Sequence, residues 1–188
     1  MSSAADNPEH SEADPAAPST SPVAPARVRA VPRWVSGAIV AAVVLLDQLS
    51  KSWMVANHST SPISIVGNDV EFHVVRNSGG AFSTFTNATV VLAVLAIGLS
   101  IWLVRTLRHA TDPLTVVSLS LVLGGALGNL SDRVFRSPGV LSGHVVDFIR
   151  VGTFPSFNIA DSAVTCGAVL LVIASFRRQP DGRASSDG

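Results

Sequence analysis

The chain has 188 residues, of which 47% are apolar and 14% charged, and its formal net charge at pH 7 is zero. Soluble domains carry about 25% charged residues, so this composition predicts a membrane protein, and the balanced charge offers no global field for nucleic acid. The single cysteine, Cys166, excludes an internal disulfide and a multi-cysteine zinc site, and inside its apolar run it reads as a small packing residue.

Residues 1–32 are rich in Ala, Pro and Ser with scattered acids. Such a segment buries too little surface to offset the entropy of ordering, which predicts a disordered tail. Its acids precede its basic residues and the apolar stretch that follows is long, so it does not read as a secretory signal peptide. A first apolar span then runs from Trp34 to Met54 and ends in Asp47-Gln48-Leu49-Ser50-Lys51. Asp47 and Lys51 stand four apart in the acid-first order that pairs on one helix face. They form either a structural ion pair or one that also touches a substrate backbone or headgroup.

Alternating apolar and polar residues from Ile63 to Val75, around Gly67-Asn68-Asp69, predict a short hairpin on the membrane surface. Asn77-Ser78-Gly79-Gly80-Ala81-Phe82-Ser83 follows. Its glycines permit a close backbone approach and Asn77 offers both a donor and an acceptor to a peptide, although on these residues alone a plain turn is the better account.

The remaining spans cover Ala88 to Val104, Leu114 to Leu130 and Ile159 to Phe176. Each approaches the roughly 20 residues needed to cross about 30 Å of hydrocarbon. Asn87 and Asn158 are placed to cap helices, and Pro113 suits a first helical turn. The third span closes in Gly124-Gly125-Ala126-Leu127-Gly128-Asn129-Leu130-Ser131-Asp132-Arg133. Its small-xxx-small glycines predict close packing of a neighbouring helix. Asn129 and Arg133 share a face, Asp132 can pair with a base, and Arg133 is suited to neutralising nearby carboxylates or binding substrate.

Lys and Arg near the span ends set orientation. The N-terminal tail, second connection and C-terminus hold Arg27, Arg29, Arg33, Arg105, Arg108, Arg177, Arg178 and Arg183, against Lys51, Arg76, Arg133, Arg136 and Arg150 in the first and third connections. This bias predicts cytoplasmic termini and one membrane domain over residues 33–178, flanked by a tail at 1–32 and a short tail at 179–188. The expected fold is an all-α membrane protein of four transmembrane helices with a small extracytoplasmic β-sheet.

An acid at a membrane span costs several kcal/mol unless it is paired or faces a polar cavity. Asp47, Asp132, Asp147 and Asp161 all fall at the external end of this topology. Asn158-x-x-Asp161 also matches a capping box, so Asp161 has a purely structural reading. Asp147 sits between Val146 and Phe148, an apolar setting for an idle carboxylate. If the third connection folds back on the bundle, Asp147 and Asp161 could share one proton and act as general acid and base on a peptide bond.

In their order and placement on four spans, the motifs resemble the lipoprotein signal peptidases, or signal peptidase II. They are Asp47-Gln48-x-x-Lys51, Asn77-x-Gly79-x-Ala81-Phe82-Ser83, Gly124-Gly125-x-x-Gly128-Asn129-x-x-Asp132-Arg133, Val146-Asp147-Phe148 and Phe157-Asn158-x-Ala160-Asp161-Ser162. Gly80 stands where many members carry alanine. The resemblance implies an aspartyl endopeptidase of the bacterial plasma (inner) membrane that cleaves prolipoproteins before a diacylglyceryl-modified cysteine. It maps the catalytic pair onto Asp147 and Asp161, substrate contacts onto Asn77, Gly79, Ala81, Asn129, Arg133, Asn158 and Ala160, and supporting roles onto Asp47, Lys51 and Asp132. It implies membrane lipids as surroundings, globomycin-type inhibitors, and neither cofactor nor metal. The competing readings are a metalloprotease using His144 with the acids, for which the donor set is poor, and an ion-coupled transporter or channel, for which no internal repeat is evident.

Overall fold

Residues 31–67, 69–79 and 88–177 are described by a computed structural model. The predicted tails up to residue 30 and from residue 178, Asn68, and the segment 80–87 with Ala81 and the expected cap Asn87 lie outside the described residues. Along the chain the elements are α1 (Arg33–His58), β1 (Ile63–Val66), β2 (Val70–Asn77), α2 (Ala88–Leu107), α3 (Pro113–Phe135), β3 (Val145–Val151) and α4 (Ile159–Arg177).

All four helices are long and apolar enough to cross a membrane; the shortest has 19 residues and reaches about 29 Å at 1.5 Å per residue. Their outer faces are apolar. Leu45, Leu46 and Leu49 on α1, Val94 and Leu95 on α2, and Val169 and Val172 on α4 are all exposed, an arrangement stable in hydrocarbon and costly in water. The protein is therefore a multi-pass membrane protein of the expected fold.

The central helix is α3, which packs against α1, α2 and α4. Glycine makes this possible. A methyl group at Gly124 would lie 2.7 Å from the Val43 side chain, and one at Gly125 would lie 2.3 Å from the Ala160 carbonyl oxygen. Leu103, Leu119 and Leu123 form the buried apolar centre, with Val40, Val122 and Leu171 packed around it. The hydroxyls of Ser118 and Ser120 donate to the carbonyls of Leu114 and Val116, one turn back, so no polar group there faces hydrocarbon unpaired.

Three helices outrun the spans expected from hydropathy by three residues or more: α1 continues past Met54 to His58, α2 past Val104 to Leu107 and α3 past Leu130 to Phe135. Hydropathy falls at the polar residues there, whereas at the end of α3 the helix continues as Asp132 and Arg136 pair along it. At the start of α3 the Asp112 carboxylate accepts from the Thr115 N–H at 2.8 Å, and Pro113 occupies the first turn as expected.

The expected hairpin is present, β1 and β2 pairing antiparallel with a bulge between Ser64 and Val66. Its turn uses Gly67 at φ 53°, a left-handed conformation that favours glycine. The third strand, β3, is an addition: it pairs antiparallel with β2, giving the order β1-β2-β3. Alternation is masked there because Val145, Val146, Asp147 and Phe148 are all buried in succession. Beyond β3 the chain returns, and the Phe157 carbonyl accepts from the Phe148 and Ile149 N–H groups. That return delivers Asn158 and α4 to the side of Asp147.

Candidate active site

Four acids from four elements converge at the sheet end of the bundle, in two layers. The deeper layer is an ion cluster built around a solvent-inaccessible lysine. Lys51 Nζ lies 2.8 Å from Asp47 Oδ2 and 3.0 Å from Asp132 Oδ2, and all three side chains are completely buried. Lys51 also donates to Asn129 Oδ1 at 3.0 Å. Gln48 Nε2 lies 3.1 Å from each of Asp47 Oδ2, the Gly128 carbonyl and Asp132 Oδ1. Arg136 Nε approaches Asp132 Oδ1 at 2.6 Å. Two carboxylates and two cations balance, which is the condition for keeping charges in a low-dielectric interior.

The cluster fastens the pieces that carry the upper layer. Asp47 Oδ1 accepts the Ala160 N–H at 2.9 Å, tying α1 to the first turn of α4. Asp132 Oδ2 accepts the Val146 N–H at 3.0 Å, tying α3 to β3 one residue before Asp147. Gly143 completes the join: its N–H donates to the Arg133 carbonyl at 3.0 Å, and a methyl group there would lie 2.3 Å from the Asp132 carbonyl oxygen. Of the two readings of Asp47 and Lys51, full burial supports the structural ion pair.

The upper layer holds Asp147 and Asp161, joined through asparagines. Asp147 Oδ1 accepts from Asn158 Nδ2 at 2.7 Å, and its Oδ2 accepts from Asn77 Nδ2 at 2.9 Å. Asp161 Oδ1 accepts from Asn129 Nδ2 at 2.7 Å, and its Oδ2 accepts the Asn158 N–H at 3.2 Å. Asn158 Oδ1 in turn accepts the Asp161 N–H at 2.9 Å. The capping box read from the sequence is thus formed, and its acid is the same one that faces Asp147. Asn158 touches both carboxyl groups, and one residue organises the pair.

The two acids differ in setting. Asp147 is 2% exposed. Burial is the main cause that pushes its carboxyl up to about 6, and the neighbouring Asp161 charge acts in the same direction, while Asn77, Asn158 and Lys51 oppose it. Asp161 instead lines an apolar cavity of about 520 Å³ with Phe154, Phe157, Ser162, Thr165 and Cys166. Cys166, read from the sequence as a small packing residue, is exposed on this wall.

Arg133 is within electrostatic reach of Asp147, Asp132 and Asp161, and its Nη1 is buried with no hydrogen-bond partner among the described residues. An unpaired guanidinium donor beside two carboxyl groups is a costly feature that a bound acceptor would relieve. Gly79 adopts φ 98° and donates its N–H to Asn77 Oδ1 at 2.8 Å, which orients the Asn77 amide nitrogen toward Asp147.

The structure therefore brings together Asp147, Asp161, Asn77, Asn129, Arg133 and Asn158. Ala160 and Asn158 are completely enclosed: Ala160 packs beneath the site against Gly125 and Gly128, and Asn158 orients the carboxyl groups. Gln48, Arg136 and Gly143 were not singled out from the sequence as site residues. Gln48 stands in the expected motif, and the spacing of Arg136 from Asp132 was an available signal. Among the described residues no group of three or more His, Cys, Asp or Glu is arranged to hold a metal ion.

Known proteins resemble this chain in sequence and in fold. A family model described as Signal peptidase (SPase) II matches residues 39–177. A lipoprotein signal peptidase of Rhodococcus jostii is 48% identical over 147 residues, covering 77% of this chain and 74% of that protein. One from Mycobacterium tuberculosis is 44% identical over 171 residues, covering 89% and 84%. A solved structure described as a bacterial membrane enzyme superposes with a TM-score of 0.70 at 28% identity, covering 85% of this chain and 98% of the other. None of these relatives supports the transporter reading. The chain belongs to the signal peptidase II family, the lipoprotein signal peptidases.

Proposed function

We propose that this signal peptidase is an aspartyl endopeptidase in which Asp147 and Asp161 act together on one water molecule. The observation that carries the reading is the shared Asn158, which donates from Nδ2 to Asp147 and from its backbone to Asp161. One carboxylate removes a proton from water as its oxygen attacks the scissile carbonyl. The other carboxyl donates its proton to that carbonyl oxygen, giving a tetrahedral gem-diol, and the leaving amine is protonated as the C–N bond breaks. The pair exchanges a single proton through the cycle. Asp147, held up near 6 by burial, is the member suited to carry it.

The substrate is a prolipoprotein cleaved before a diacylglyceryl-modified cysteine. Its acyl chains hold the scissile bond at the membrane surface, the depth at which sheet and helix ends meet. The cavity beside Asp161 offers apolar room for the flanking substrate. Arg133, with its unpaired Nη1, binds a substrate carbonyl, and Asn129, Asn77, Gly79 and Ala81 complete the contact surface, which globomycin-type peptides would occupy. The basic-residue bias places both termini in the cytoplasm and the dyad at the outer leaflet of the plasma membrane.

The test is a gel-shift assay on a diacylglyceryl-modified precursor with membrane-inserted wild type, Asp147→Asn and Asp161→Asn. Both variants are expected to remain folded and to lose cleavage; near-normal turnover by either would remove the dyad.

A further inference from the structure

The β2–β3 ribbon has two faces. Asn77 and Asp147 meet on one; Arg76 and Val146, register partners on adjacent strands, line a separate cavity of about 260 Å³. That cavity also takes Arg136 from the end of α3, His144 from the preceding connection, Val55 from α1 and Phe135. No carboxylate lines it among the described residues. Arg136 commits its Nε to Asp132, and a guanidinium carries five donor hydrogens, so four remain. The His144 backbone is pinned by donation to the Ser137 carbonyl at 3.1 Å. Two arginines and a histidine from three segments thus converge on one concavity, with room for several times the roughly 30 Å³ share of a water molecule.

We propose that this cavity binds the phosphate of an anionic phospholipid headgroup from the leaflet at this end of the bundle. Two arginines at the mouth of a cleft match the bidentate geometry of phosphate oxygens, and basic pockets at helix ends take lipid headgroups. A lipid is favoured over free phosphate by the rim. Phe135, which lines the cavity, is 83% exposed; a large apolar group so displayed belongs in acyl chains. The ligand would brace the sheet carrying Asp147 from its reverse face, and the binding itself does not depend on the proposed dyad.

Native mass spectrometry of the full-length protein tests this, comparing retained phosphatidylglycerol with a diacylglycerol of the same chains. Wild type is expected to retain the phospholipid on the order of tenfold better, Arg76→Gln to lower retention about fivefold, and His144→Gln to lower it by a smaller factor. Both variants spare the Arg136–Asp132 pair, and their unfolding temperatures report folding separately. Equal retention of the two lipids by wild type overturns the proposal without any variant, as does unchanged retention in folded Arg76→Gln. Displacement of the lipid by millimolar inorganic phosphate overturns it in favour of a free-phosphate site.

Discussion

At the scale of single residues, burial sets what each acid does. Lys51 holds Asp47 and Asp132 with every side chain inaccessible, so Lys51→Met leaves two carboxylates without their shared cation. Removing one partner from a buried cluster costs about 3–5 kcal/mol. A large fall in unfolding temperature in detergent is expected, partly restored by adding Asp132→Asn; a neutral effect would show the cluster to be solvated. Asp147 makes the opposite case, because its surroundings disfavour its charge. Its carboxyl rises from the usual value near 3.8 to about 6, so between those pH values the folded state binds more protons than the unfolded one. Stability therefore falls as pH rises through that window, by at most about 3 kcal/mol, and is level above it. Unfolding temperatures of wild type from pH 4 to 8 should show this step, and Asp147→Asn should lack it. The acids themselves were legible, since charge at a membrane span is conspicuous in any sequence. The pairing of Asp147 with Asp161 was legible only on the condition that the third connection folds back, because the hydrogen bonds that fix that return reach across as many as 113 positions, as between Asp47 and Ala160.

At the scale of elements, the site depends on how closely α3 and α4 approach. Gly125 faces the Ala160 carbonyl and the Val164 side chain, one residue before Asp161. A methyl group there must push α4 away from α3, a strain of about 1–3 kcal/mol, and it would carry Asn158 and Asp161 out of register with Asp147. Gly125→Ala is expected to reduce turnover far more than substrate affinity. Gly98→Ala, with nothing within 4 Å, should preserve activity and firm α2 by about 1 kcal/mol; equal behaviour of the two variants would contradict the packing argument. The sequence disclosed the four spans and the first hairpin because hydropathy and alternation are local signals. It did not disclose β3, whose continuous burial hides its period of two, nor the last turns of α1 and α3, where hydropathy falls although the helix continues.

At the scale of the whole molecule, the membrane domain closes on itself within the described residues. The Signal peptidase II match begins at residue 39 and ends at residue 177, and among the described residues the hydrogen bonds that position Asp147 and Asp161 lie between Asp47 and Asp161. Residues 1–30 precede the matched region. Their Ala, Pro and Ser composition offers little apolar surface to bury against a bundle whose exterior is already matched to lipid. Deleting them is therefore expected to leave the unfolding temperature unchanged and the turnover of a lipidated precursor within about twofold of the full chain. The arginines Arg27 and Arg29 would be lost with them, while Arg33, Arg105, Arg108 and Arg177 would still bias both ends to one side. Accessibility labelling of engineered cysteines at each terminus, read beside turnover, separates an inverted chain from a damaged site: correct labelling with lost cleavage would assign the tail a direct part in catalysis.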